Sequence, residues 1–160
     1  MQDVLLDYGD GKMRIELPDS ATVLRMSEVD TDPPAIDNAA ATLAALRSPL
    51  GTPPLKELAG PGKRVVIGFP DRVKGGVQPD SHRKTAIPLI VQELLDGGCR
   101  LEDITLLCAP GLHRMNTLEE WYWYLGKPIV DMFWPGRLVN HDAEAPDIVD
   151  YGRDEMGNAV

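Results

Sequence analysis

Two short segments constrain the fold more than anything else in this chain. They are Val65-Val66-Ile67-Gly68-Phe69-Pro70-Asp71-Arg72-Val73-Lys74 and Ile104-Thr105-Leu106-Leu107-Cys108-Ala109-Pro110-Gly111-Leu112-His113-Arg114. Each is a near-continuous apolar run, partly β-branched, that stops at Pro or Gly and then presents ionisable side chains. Runs of this length and composition read as strands of a parallel sheet, buried on both faces. In such sheets, ligands bind outside the carboxyl ends of the strands. One end offers Asp71 and Lys74 and the other His113 and Arg114, so the two ends together predict one built site.

The segments between them complete the pattern. Ser81 is placed to cap a helix reaching about Leu95, which Gly97-Gly98 would end, and Pro88 is expected to kink or restart it. Thr117-Leu118-Glu119-Glu120 has the spacing of a capping box, opening a helix to about Leu125 with Gly126 after it. Residues 137–140 make a third strand candidate. Strand, helix, strand, helix, strand with short connections is the signature of right-handed βαβ units and a parallel sheet. Before them, residues 3–6 and 12–17 flank Tyr8-Gly9-Asp10-Gly11 as a hairpin. Residues 21–26 suit a further short strand, and 30–34 a polar loop. Residues 35–47 carry Ile36, Ala39, Ala40, Leu43 and Leu46 at helical spacing, and 55–59 suit a short second helix. The expected fold is α/β: a Rossmann-like, three-layer parallel sheet preceded by an N-terminal β-hairpin. Residues 1–60 form the hairpin and helix region and 61–160 the βαβ core. Residues 147–160 are polar and carry no closing element, so the sheet is expected to be incomplete at the C-terminus and the chain to be the N-terminal piece of something longer.

A length of 160 residues suits one domain able to bury a real core. The net charge of −9 argues against nucleic acid, whose phosphates are neutralised by Lys and Arg, and against anionic membranes. No apolar run approaches the roughly 20 residues that cross a bilayer. Two cysteines, Cys99 and Cys108, are poor material for a disulfide framework or zinc site and fit a reducing cytoplasm.

Each ionisable residue also has a plainer reading. His113 can be a loop histidine satisfied by a backbone carbonyl, although imidazole suits proton transfer near neutrality. Asp71 and Lys74 can form a surface ion pair of little energetic worth. Arg114 can be solvated, or can grip a carboxylate with its planar fork. Gly75-Gly76 resembles a phosphate cradle only faintly, and neither a Walker A motif nor G-x-G-x-x-G follows the first strand. The Trp121-Tyr122-Trp123-Tyr124 run reads as packing, His82 and His141 as structural, and no His/Cys/Asp cluster has the spacing of a self-contained metal site.

Together, the segments resemble the N-terminal region of the nickel-dependent lactate racemase family. The resemblance rests on Pro70-Asp71-x-x-Lys74, Ser81-His82, Ile87-Pro88-Leu89-Ile90, Ala109-x-Gly111-x-His113-Arg114, Thr117-x-Glu119-Glu120 and Leu125-Gly126-x-x-Ile129-Val130. It covers about residues 63–160, while 4–60 match only in outline. The resemblance implies racemisation or epimerisation of small 2-hydroxy acids with a nickel-pincer nucleotide, which takes a hydride from the α-carbon and returns it. Two histidines then act as base and acid on the hydroxyl proton. His113 matches the first of them, Asp71 a carboxylate that helps hold the cofactor and the site, and Arg114 follows His113 as in the family. Lys74 stands where lactate-specific members carry Arg, and only Arg offers a bidentate fork. With the insertion-like residues 75–80, this points to a different hydroxy acid or polyol acid. The family's second catalytic His, its cofactor-bearing Lys and its nickel-ligating His match nothing in this chain. The chain alone is therefore expected to catalyse nothing, and to work with the remainder of a catalytic domain on the same or another chain. A reading from another class is a non-catalytic α/β module that binds a nucleotide or a partner through its strand ends.

Overall fold

Apolar runs alternating with amphipathic segments fold, from residue 65 onward, into a parallel sheet with helices laid along it. A computed structural model describes residues 1–24, 34–74 and 81–158, in two units, Met1–Ala35 and Ile36–Val160.

In the first unit, β1 (Gln2–Tyr8) and β2 (Gly11–Leu17) pair antiparallel, with Gln2 opposite Leu17 and Tyr8 opposite Gly11. Gly9 turns the chain with φ +57°, a left-handed conformation that glycine adopts without a Cβ clash. The further strand expected at residues 21–26 is not there over 21–24. Ala21 instead closes a turn onto the Pro18 carbonyl, and its own carbonyl accepts from the Gln2 side-chain amide at 2.6 Å, leaving no ladder to join. Residues 25 and 26, and 30–33 of the expected polar loop, lie outside the described residues.

The second unit begins with α1 (Asn38–Arg47) and α2 (Leu55–Leu58). The first helix starts later than its apolar spacing suggests, because the Asp37 carboxylate accepts from the Ala39 and Ala40 N–H groups and so fixes the N-cap. Both helices pack on α3 (His82–Asp96), and Arg47 pairs at 2.7 Å with the buried Glu93 carboxylate. Next come β3 (Val65–Pro70), β4 (Ile104–Ala109), α4 (Leu118–Leu125), α5 (Lys127–Phe133) and β5 (Leu138–Asn140). The strands lie in the order β3-β4-β5, all parallel, with Phe69 opposite Cys108 and Cys108 opposite Asn140.

Val65, Ile67, Phe69, Ile104, Leu106, Cys108 and Leu138 share one sheet face and one core with Ile87, Val91 and Leu94 of α3, Trp121 and Tyr124 of α4, and Val130 and Phe133 of α5. The expectation of cover on both faces is met in full on this face alone among the described residues, since on the other Val66 is 63% exposed and Thr105, Leu107 and Val139 are only half-buried. Crossovers of one hand between strands that advance in one direction deliver every helix to the same side. Helix α3 runs unbroken through Pro88, held by the burial of Ile87, Val91 and Leu94 around it. Ser81 stands at its N-cap, but the hydroxyl is buried and bonds nothing among the described residues. Helix α5 carries too few residues for a periodic signal, and Pro128 sits in its first turn, where a missing N–H is tolerated.

Gly97 is where α2 meets the end of α3. A Cβ there would lie 2.4 Å from the Ala59 Cβ and 2.5 Å from the Lys56 carbonyl oxygen. With φ at −82°, the obstacle is contact, not backbone conformation. Gly97→Ala should therefore cost about 1–3 kcal/mol by overpacking, read as a lower urea midpoint at unchanged slope.

Candidate functional site

Both predicted strand ends deliver their side chains to one place. After β3, the chain turns at once, the Lys74 N–H meeting the Asp71 carbonyl at 3.3 Å. After β4, the His113 N–H closes a turn on the Pro110 carbonyl at 3.1 Å, with Gly111 at φ +64°. These turns bring His113 Nδ1 to 2.8 Å from Asp71 Oδ2, with the carboxylate side chain 4% exposed and the imidazole 44%. A carboxylate only accepts hydrogen bonds, so Nδ1 carries the proton of the neutral ring and Nε2 keeps its lone pair. His113 and Arg114 line a cavity of about 530 Å³ with Gly111, Met115, Asp142 and Glu144, between the loops that follow β4 and β5.

The other predicted residues are placed differently. Arg114 lays its fork on Glu120, Nη2 at 2.7 Å and Nη1 at 3.0 Å. Lys74 is exposed, and its backbone carbonyl accepts from the buried Arg83 guanidinium at 2.5 Å. Asp71 and Lys74 thus share a backbone turn, while the Asp71 carboxylate goes to His113. Gly75-Gly76 and the rest of residues 75–80 lie outside the described residues. His82 and His141 are exposed. In α4, Trp121 and Tyr124 face the core while Trp123 is 54% exposed, as their spacing on one helix requires.

Two residues to which the sequence assigns no part in the site hold this arrangement. Asn116 is buried and gathers all three strand ends. Its amide contacts Cys108 Sγ and Asn140 Oδ1, both at 3.2 Å, its carbonyl accepts from Asn140 Nδ2 at 3.0 Å, and its side-chain oxygen accepts from the Arg72 N–H at 3.4 Å. Glu120 completes the capping box that the Thr-x-x-Glu spacing predicts and also accepts from Arg72 Nε at 3.0 Å. A lone Asn before a cap gives no such signal, and the capping motif by itself says nothing of the arginines. Burial pushes the Cys108 thiol and the Tyr124 phenol upward, so both stay protonated near neutrality.

The Arg114 guanidinium, helped by the Thr117 N–H, lowers the Glu120 carboxyl from 4.5 to about 2. A carboxyl lowered by folding contributes stability above its unfolded value and loses it as pH falls through the folded one. The stability Glu120 supplies should therefore vanish between about pH 4.5 and 2. Thermal melts should show wild type and Glu120→Gln converging across that window.

Comparison with known proteins agrees with the fold. The lactate racemase N-terminal domain family matches residues 8–160. The chain is 29% identical over 145 residues to a lactate racemase of Thermoanaerobacterium thermosaccharolyticum, covering 89% of this chain and 32% of that protein. The solved structure of the lactate racemase apoprotein from the same organism matches with a TM-score of 0.61 at 24% identity, over 99% of this chain and 34% of that one. The chain thus spans about a third of the length of the relatives it matches. Among the described residues, no helix is long and apolar enough to cross a membrane.

Proposed function

Because the chain belongs to the lactate racemase N-terminal domain family, we propose that it forms the N-terminal part of a cytoplasmic racemase or epimerase of small 2-hydroxy acids. The observation that carries the proposal is the 2.8 Å contact between His113 Nδ1 and the buried Asp71 carboxylate. A histidine held this way is oriented and fixed in one tautomer. Its Nε2 takes the proton from the substrate hydroxyl, and Asp71 stabilises the imidazolium that results. Returning a proton from the other face needs an acid from the portion of the enzyme outside this chain.

Lys74 supplies a point charge for the substrate carboxylate. Arg114 adds its charge at the cavity while its fork stays on Glu120. The hydride chemistry belongs to the nickel-pincer nucleotide that the family implies. Among the described residues, no three His, Cys, Asp or Glu side chains lie together as a metal ligand set. This region therefore does not fit the metal by itself, and its part is proton transfer and anion binding.

Chiral chromatography of a panel of 2-hydroxy acids tests the proposal, using the chain joined to the remaining portion of a relative and supplied with cofactor. Racemisation of any member supports it, and none across the panel removes it. In the same assay, Lys74→Arg should raise the preference for lactate over larger hydroxy acids by about tenfold, the worth of roughly one charge-assisted hydrogen bond.

A further inference from the structure

We propose that Glu120 is a positioning residue for the Asp71–His113 pair, one carboxylate holding both loops that carry it. Arg72 directly follows Asp71, and Arg114 directly follows His113. Both reach the same Glu120, Arg72 Nε at 3.0 Å, Arg114 Nη2 at 2.7 Å and Nη1 at 3.0 Å. The carboxylate is itself fixed to the chain, since Oε2 accepts from the Thr117 N–H at 2.9 Å in the first turn of α4. The loop after β3 and the loop after β4 are separate in sequence by some forty residues, yet each is tied to that one group by the residue next to its functional side chain.

Helix capping does not account for this arrangement. A capping box accepts Glu or Gln at its third position, because the task is only to accept a hydrogen bond from the cap. Two guanidinium groups converging on that position call for a negative charge, and Arg forks on a carboxylate add directional constraint beyond attraction. Screening weakens exposed pairs, but here the shared carboxylate is only 18% exposed. The inference rests on the reading of Asp71 and His113 as a working pair for its catalytic meaning, while its test needs no activity.

Imidazole ¹⁵N spectra of the 160-residue chain at a pH where His113 is neutral report which ring nitrogen is protonated. Wild type should show Nδ1 protonated. Glu120→Gln, which keeps the capping box, should move the Nδ1 resonance toward its unprotonated position as the ring leaves Asp71. Thr117→Ala, which breaks the cap and spares the arginine contacts, should leave that resonance in place. The double variant Arg72→Gln/Arg114→Gln should reproduce the Glu120→Gln shift with the box intact, and decides the matter if circular dichroism shows Glu120→Gln unfolded. A wild-type Nδ1 resonance in the folded double variant would overturn the inference. A wild-type chain with Nε2 protonated would overturn the pair and the inference with it. Absence of racemisation alongside the expected shifts would count against the hydroxy acid reading alone and leave the positioning role standing.

Discussion

His113→Ala should lower turnover by about 10²–10⁴-fold in the completed, cofactor-loaded enzyme, the usual contribution of a positioned general base. On the proposed reading the effect should fall on kcat more than on KM, because the imidazole would act on the hydroxyl proton while Lys74 would hold the substrate carboxylate. The imidazole is itself 44% exposed, but its loss strips the buried Asp71 carboxylate of a partner, so the variant should unfold at a modestly lower temperature than wild type. Asp71→Asn is the sharper companion. An amide can donate to Nδ1 as well as accept from it, which frees the ring to take the other tautomer and removes the charge opposite the imidazolium. Steady-state kinetics by chiral chromatography, with melts on each variant, separate a lost base from a lost fold.

Tyr124→Ala produces the largest expected loss of stability. The ring is fully buried where α3, α4 and the sheet meet. It packs edge-on against Phe69 with centroids 6.4 Å apart, and the Arg83 guanidinium lies 5.5 Å from its centroid. Removing a buried aromatic costs about 3–5 kcal/mol through lost transfer energy and the cavity left behind. Arg83 would also lose the aromatic face that shields a buried charge. Domains are stable by only about 5–15 kcal/mol, so this one change removes a large share of the total. Tyr124→Phe keeps the ring and loses only the hydroxyl contact with Cys108 Sγ at 3.7 Å, so its cost should stay near 1 kcal/mol or below. Urea unfolding of both variants reads the difference directly as midpoints.

The sheet was legible because its signal is local. Val65 to Phe69 and Ile104 to Cys108 are apolar but for Thr105, and the glycines and prolines after them mark where each strand must stop. The capping box at Thr117 and Glu120 was legible for the same reason, since one spacing specifies both hydrogen bonds. What sequence could not supply was set by contacts between distant segments. The late start of α1 depends on which acidic residue wins the cap, and α5 is shorter than two full periods of a helix. The exposed face of the sheet follows from the direction in which strands are added, which no single segment encodes. At the site, Asp71 and His113 could be placed at neighbouring strand ends, but their direct contact depends on two turns acting together. Arg114 illustrates the limit. Its type suited a carboxylate, and the structure provides one in Glu120, six residues along the same chain.

The most direct test of the account is whether the completed enzyme, given one enantiomer of a 2-hydroxy acid, produces the other in a manner that depends on His113. Chiral chromatography over time gives the answer. Wild type should approach a racemic or epimeric mixture, and His113→Ala should do so at a rate lower by about two orders of magnitude or more. Equal rates for the two proteins would contradict it, and His113 would then be a loop histidine satisfied by Asp71.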